Sequence, residues 1–280
     1  MTASTAQTWF ITGASSGFGR AFALRALAQG LNVVVTARDA ARLASLTAQA
    51  PDRVLPLTLD VDQPQQIEAG VAAALARFGR IDVLVNNAGY GVVGAVEETP
   101  DRELRALMET NFFGAVALTR AVLPTLRAQR SGAIVNISSM GGQLSFAGYG
   151  AYSASKFALE GLSEALAQEV APLGIKVLIV EPGAFRTDFA GAALRHMPVI
   201  DDYQATSGGT REFTRGMHAT QDGDPMKAAA AVELALQAAH TPLRLQLGGD
   251  SVAAVRDHAE KLLADLRAWE AVAIDTRIAA

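Results

Sequence analysis

The chain has no cysteine. Disulfides, thiolate metal sites and a cysteine nucleophile are therefore excluded, and the composition fits a reducing, cytoplasmic setting. Histidine is scarce, with four residues at 196, 218, 240 and 258. They lack metal-ligand spacing and none stands beside a candidate nucleophile, so neither a metal site nor a Ser-His triad is expected. Lysine is scarce too. Of 24 basic residues only Lys156, Lys176, Lys227 and Lys261 are lysines. Arginine is the default cation, which makes a lysine at 156 informative. The basic residues form no run and the net charge is -4, so no nucleic-acid partner is expected. There is no uncharged apolar run of about 18 residues, hence no expected membrane span. Residues 1–7 lack the charged start and apolar stretch of a signal peptide and read as a short flexible tail.

What is present is half hydrophobic over 280 residues, enough for one large α/β domain over 8–280. Apolar runs of strand type stand at 9–11, 32–36, 54–59, 81–85, 133–137, 176–180 and 243–247. Helical spacing separates most of them. This alternation predicts βαβ units and a parallel sheet, whose ligands bind beyond the carboxyl ends of the strands. The first run leads into Thr12-Gly13-Ala14-Ser15-Ser16-Gly17-Phe18-Gly19 and then a helical pattern. A glycine-rich turn before a helix N-terminus suits a phosphate. The spacing is GxxxGxG rather than GxGxxG, and no Gly-Lys-Ser/Thr makes it a P-loop. The second run ends in Thr36-Ala37 and is followed by Arg38. An acid there would favour NAD, whereas an arginine can pair with the 2′-phosphate of NADP. A solvated loop arginine is the alternative. Asp39 reads as a helix cap. From 184 to about 224 the alternation stops, and scattered apolar residues in a long irregular segment predict a substrate lid.

Tyr152 and Lys156 sit at i and i+4 of one predicted helix, on the same face. A unit charge at about 4 Å is worth roughly 4 kcal/mol at an effective dielectric near 20. At about 1.4 kcal/mol per pKa unit, that predicts a phenol lowered from ~10 toward ~7, a usable general acid or base. The alternative is an ordinary surface pair, so partners elsewhere in the chain decide.

Thr12-Gly13-x-x-x-Gly17-x-Gly19, Asn86-Asn87-Ala88-Gly89, Asn111, Ser139, Tyr152-x-x-x-Lys156 and Pro182-Gly183, in this order over residues 8–190, resemble the short-chain dehydrogenase/reductase family. The resemblance implies a doubly wound, Rossmann-like parallel sheet of seven strands in order 3-2-1-4-5-6-7, a nicotinamide cofactor and a homodimer or homotetramer. It also implies roles. Tyr152 exchanges a proton with the substrate oxygen. Lys156 lowers its pKa and bonds the nicotinamide ribose. Ser139 polarises the substrate oxygen, and Asn111 anchors a water that relays protons to Lys156. The turn from Gly13 through Ser15, Ser16, Gly17 and Phe18 to Gly19 cradles the pyrophosphate. Asp60 and Val61 flank the adenine, while Asn87, Ala88 and Gly89 line the cofactor. Pro182, Gly183 and Phe185 join its contacts, and Thr187 touches the nicotinamide end. Ser139 is chosen over Ser138 because the family places this serine 13 residues before the tyrosine. Tyr149 is the competing tyrosine, but Ser153 is its i+4 residue. The departure is Ser16, where a basic residue would support NADP, so that preference rests on Arg38.

Among expected substrate-facing residues, Ser139, Gln143 and Tyr152 supply polar contacts, with Tyr90, Val92, Val93, Leu144, Phe146 and Phe185 around them. No charge stands out, so an apolar carbonyl or alcohol is expected. A dinucleotide-binding sensor without chemistry is the competing class. It would be free to lose Ser139, Tyr152 or Lys156, and this chain keeps all three.

Overall fold

Apolar runs closed by glycine- or proline-containing turns set the frame. The computed structural model describes residues 6–278. The expected tail over 1–7 thus lies, for residues 1–5, outside the described residues. Thr8–Ile11 (β1), Gly17–Ala28 (α1), Asn32–Ala37 (β2), Ala44–Thr47 (α2), Val54–Thr58 (β3), Pro64–Phe78 (α3) and Val83–Asn86 (β4) come first. Gly91–Val93 (β5), Asp101–Met108 (α4), Gly114–Gln129 (α5), Gly132–Ile137 (β6), Gly150–Val170 (α6) and Ile175–Pro182 (β7) follow. Leu194–His196 (β8), Gln204–Gly216 (α7), Pro225–Gln237 (α8), Arg244–Leu247 (β9) and Gly249–Ile274 (α9) end the chain. Local chemistry fixes the boundaries. Pro64 opens α3, and Gly79, at φ 74°, closes it in the left-handed conformation. The Asp224 carboxylate caps α8 by accepting from Met226 N–H, with Pro225 in the first turn.

The main sheet is parallel throughout, in order β3-β2-β1-β4-β6-β7-β9. Counting only its own strands, this is the expected 3-2-1-4-5-6-7. Side-chain alternation feeds two cores. Trp9, Ile11, Val33, Val35, Val135 and Ile137 face one cluster with Phe22 of α1 and Val232 of α8. Phe10, Val34, Leu84 and Ile134 face the other, with Ile67, Leu118 and Leu166 of α3, α5 and α6. Burial on both faces explains why these strands are uninterrupted apolar runs. Each such side chain contributes about 1.5–3 kcal/mol.

Two regions depart from expectation. Helical spacing of apolar residues runs from Leu104 to Leu126, yet a π-helical turn at Glu109–Phe113 interrupts it, between α4 and α5. The segment 184–224 is not an irregular loop. It holds β8, which pairs in parallel with β5 as a separate ribbon, and the 13-residue helix α7. The α7 sequence QATSGGTREFTRG has an adjacent glycine pair and a single large apolar residue, Phe213, so no apolar stripe announces it. A buried ion pair holds it instead: Arg211 donates to Glu98, whose other oxygen accepts from Ile200 N–H at 2.8 Å.

Candidate active site

The carboxyl ends of β1, β2, β4, β6 and β7 open into one cleft of about 1090 Å³. At its centre the chain turns from β1 into α1. Gly13 and Gly17 adopt φ of 63° and 52°, a conformation that side-chain-bearing residues rarely take. A Cβ on Gly19 would lie 2.5 Å from Gly13 O, so Gly19 lets the turn close on itself and does not line the cleft. Thr12 and Asn87 brace the turn. Thr12 Oγ1 accepts from Asn87 and Ala88 N–H at 2.9 and 3.0 Å, and Asn87 Nδ2 donates to Thr12 O and Gly13 O at 2.8 and 3.1 Å. Ser16 precedes α1 without a side-chain capping bond, and no acid stands in the first turn. The helix N-terminus therefore faces the cleft with its dipole uncompensated, a fit for a dinucleotide pyrophosphate.

Ser15, Ser16, Gly17 and Phe18 line the cleft beside this turn. At the β2 end lies Arg38, exposed, with Asp60 and Val61 from the end of β3. Asp39 caps the next turn through Ala41 N–H at 3.0 Å, as expected. Arg42 lines the same rim and was not anticipated. No helical spacing could have found it, since Arg38 follows the end of β2 and Arg42 sits in the short 3-10 turn Ala40–Leu43. Gly89, Pro182, Gly183, Phe185 and Thr187 form the opposite wall. Phe185 packs on Phe18 with ring centroids 5.1 Å apart, and Thr187 lies against Gly17. Asp250, in the first turn of α9, also reaches this wall. Its Oδ2 accepts from Ala184 N–H at 2.7 Å. That contact spans 66 residues and has no sequence signal.

At the inner end, α6 carries Tyr152 and Lys156 into the cleft, both buried, and Ser139 follows β6. Ser139 Oγ accepts from Gly141 N–H at 3.0 Å. Ser139 and Tyr152 converge on Gly141: a Cβ there would lie 3.3 Å from Ser139 Oγ and 3.5 Å from Tyr152 Cε1. Ser138 points elsewhere, to Glu160 across Gly142. Lys156 Nζ donates to Ile137 O at 2.9 Å and lies 5.8 Å from the Tyr152 ring centroid. The expected lowering of the phenol does not hold in this environment. Burial pushes Tyr152 up, and its hydrogen bond with Ser139 opposes this only in part. Burial likewise brings Lys156 down to about 8, against the pull of the Glu160 carboxylate. Loss of hydration penalises phenolate and ammonium alike, which the pairwise Coulomb argument leaves out.

Asn111 occupies the π-helical turn, a distortion frequent at functional sites. It is buried behind Gly89 and does not itself line the cleft. Its amide donates to Tyr90 O and Ser155 Oγ, both at 3.0 Å, and its oxygen accepts from Tyr90 N–H at 3.1 Å. A Cβ on Gly89 would lie 3.0 Å from Asn111 Oδ1 and 3.8 Å from Lys156 Nζ, so Gly89 separates the two.

Gln143 is a correction. Its amide donates to Glu160 Oε2 at 3.2 Å and Glu181 Oε1 at 3.1 Å, so it turns into the protein and does not line the cleft. Two buried carboxylates need donors, and that need outweighs a place on the substrate side. Val92 likewise packs behind Tyr152 with Leu107 and Met197. Tyr90 and Phe146, both expected to face the substrate, do line the cleft, and Tyr149, Phe189 and, from α7 and the turn after it, Thr210, Phe213 and Met217 line it with them. A charge is present after all. Arg195 lies over the Tyr90 ring at 4.4 Å and is paired with Glu103 at 3.0 Å. Among the described residues, no cluster of acids and histidines could hold a metal ion, and no helix is long and apolar enough to cross a membrane.

Comparison with known proteins agrees with this geometry. The family model described as short chain dehydrogenase matches residues 7–198. The oxidoreductase BOA17 of Botryotinia fuckeliana is 41% identical over 95% of this chain and 97% of its own. A 3-ketodihydrosphingosine reductase of Bacteroides thetaiotaomicron is 38% identical over 86% of this chain and 88% of its own. The crystal structure of a short-chain dehydrogenase from Streptomyces avermitilis superimposes with a TM-score of 0.93 at 53% identity, covering 99% of this chain and 100% of the other. A Burkholderia phymatum short chain dehydrogenase/reductase in complex with NAD (TM-score 0.82, 25% identity, 95% and 97% covered) is also similar. So is a serine dehydrogenase complexed with NADP+ (TM-score 0.75, 28% identity, 86% and 94% covered). With a Rossmann-like sheet, a braced glycine turn facing a dinucleotide-sized cleft, and a match over most of its length, the chain belongs to the short-chain dehydrogenase family of oxidoreductases.

Proposed function

We propose that the chain is an NADP(H)-dependent carbonyl reductase or alcohol dehydrogenase acting on an apolar substrate. The observation that carries this reading is one cleft joining two chemistries: Ser139, Tyr152 and Lys156 at its inner end, Arg38 and Arg42 at its rim. A bound nicotinamide would supply or accept the hydride. The glycine turn and the α1 N-terminus would hold its pyrophosphate, and Lys156 its ribose. Tyr152, kept neutral by burial, would donate its proton to the oxygen that gains charge as a carbonyl is reduced. Ser139 would donate a second hydrogen bond there, and Lys156 would hold the positive charge beside the reacting pair. The aromatic wall and α7 support an apolar substrate and a covering role for α7. The similarity to a reductase named for a long-chain ketone, 3-ketodihydrosphingosine, points the same way. The test is NADPH and NADH consumption against a panel of apolar ketones and aldehydes. The expected result is turnover of at least one apolar carbonyl, faster with NADPH. Tight NADPH binding with no turnover across the panel would replace the enzyme by a cofactor sensor.

A further inference from the structure

The last helix has more length than the body of the protein uses. At 1.5 Å per residue, the 26 residues of α9 extend about 39 Å. Only its start is packed. Ser251 is buried and donates to Glu181 O at 2.8 Å, whereas every residue from Ala259 to Ile278 is exposed. That exposed stretch is not polar. Leu262 (62%), Leu266 (61%), Trp269 (67%) and Val272 (63%) all stand in solvent, with Leu263 beside them. Val255, Ala259, Leu262, Leu266, Trp269 and Ala273 recur at alternating steps of four and three, the seam of a two-helix coiled coil. Most helical stability in proteins comes from packing an apolar face, so such a seam calls for a cover.

The charges identify that cover. From Arg256 to Arg277, Arg256, Lys261, Arg267 and Arg277 are balanced by Asp257, Glu260, Asp265, Glu270 and Asp275. Helices that lie on membranes are basic on their polar face, and this one is not. Mixed charges flanking an apolar seam are instead the pattern of a helix–helix pair. Arg256 and Glu270 stand seven residues to either side of Leu263. An antiparallel pair centred there sets Arg256 of each copy beside Glu270 of the other. A parallel pair would set Asp265 against Glu270, two like charges. The antiparallel pair has one like-charge contact, between the two Asp265 side chains.

We propose that α9 pairs antiparallel with α9 of a second copy of this chain. The pair forms through Leu262, Leu263, Leu266 and Trp269, and Arg256–Glu270 contacts fix its direction. Mass in solution, measured by sedimentation equilibrium on the full chain, tests this. The Leu262→Glu/Leu266→Glu variant, with both changes at exposed positions, is expected to have half the wild-type mass, with unchanged cofactor binding. Arg256→Glu alone and Glu270→Arg alone are each expected to weaken the pair about tenfold, and the double exchange to restore it. The chain lacks cysteine, so Leu263→Cys offers a single thiol per copy, and a short bis-maleimide is expected to give one covalent dimer. Equal masses for wild type and double variant overturn the proposal, as does a double exchange no tighter than the single ones. Flotation of the wild type with anionic vesicles in place of self-association overturns it too and assigns the face to a membrane.

Discussion

Arg38 stands where the nucleotide would be chosen. A guanidinium can form two charge-assisted hydrogen bonds with a 2′-phosphate, and a free 2′-hydroxyl gives it no anionic partner. Such bonds contribute about 1.5–3 kcal/mol, roughly a ten- to hundredfold preference for NADP(H). Arg38 is exposed, so salt reduces the effect. Ala37→Asp with Arg38→Ile is expected to reverse the preference, measured as kcat/KM for NADPH and NADH with one carbonyl substrate. A wild type that favours NADH would make Arg38 a solvated loop residue. At this scale the sequence was most readable where backbone demands are strict. Gly13 and Gly17 take positive φ, and Tyr152 and Lys156 share a face of one helix. It misled where a side chain had two possible environments. Gln143 follows Ser139 closely in sequence, yet Glu160 and Glu181 draw it inward. Asp250 was invisible because only the fold brings α9 to the end of β7.

Among the elements, α7 is tied to the body chiefly by the buried Arg211–Glu98 pair, with Thr210 Oγ1 donating to Ala147 O at 2.7 Å beside it. Burial alone would raise Glu98, but the Ile200 and Ala95 N–H groups and Arg211 together hold it below the usual carboxylate range. Removing one member of a buried pair strands the other charge, at a cost of about 3–5 kcal/mol. Arg211→Met is therefore expected to loosen α7, raising KM for the substrate at least tenfold while the cofactor dissociation constant stays within about twofold. Hydrogen exchange across 204–216 reads the loosening directly, and unchanged protection there would show that α7 is held by something else. The same interaction explains why α7 was not legible. Its helix-forming drive is tertiary, through Arg211, and its own sequence offers glycines and threonines. The π-helical turn escaped for a related reason. Asn111 takes the backbone of Tyr90 as its partner, and nothing in the local spacing of 104–126 records that contact.

Over the whole molecule, the sheet order was legible because a strand buried on both faces cannot hide its apolar run, as Phe10, Val34 and Ile134 illustrate. What ties β7 and β9 to α6 was not. Glu160 and Glu181 share Arg244, at 3.0 and 3.5 Å, beneath the loop that carries Ser139. Burial and then the Glu160 charge push Glu181 up to about 7 from 4.5. A carboxyl raised in the folded state holds a proton that the unfolded chain has released. Its contribution to stability is therefore full below about 4.5 and is lost as the pH rises through about 7. Glu181→Gln is expected to raise the melting temperature at pH 8 and to leave it nearly unchanged at pH 5. An equal shift at both values would mean that Glu181 is ionised throughout.

The most direct test of the proposed chemistry is Tyr152→Phe, measured as kcat for carbonyl reduction together with the dissociation constant of NADPH. A general acid contributes about a hundred- to ten-thousandfold. Tyr152→Phe is expected to lower kcat at least a hundredfold and to change NADPH affinity less than about threefold. More than about a tenth of the wild-type kcat, with the cofactor bound normally, would contradict it and move the proton transfer to Tyr149 or to another donor.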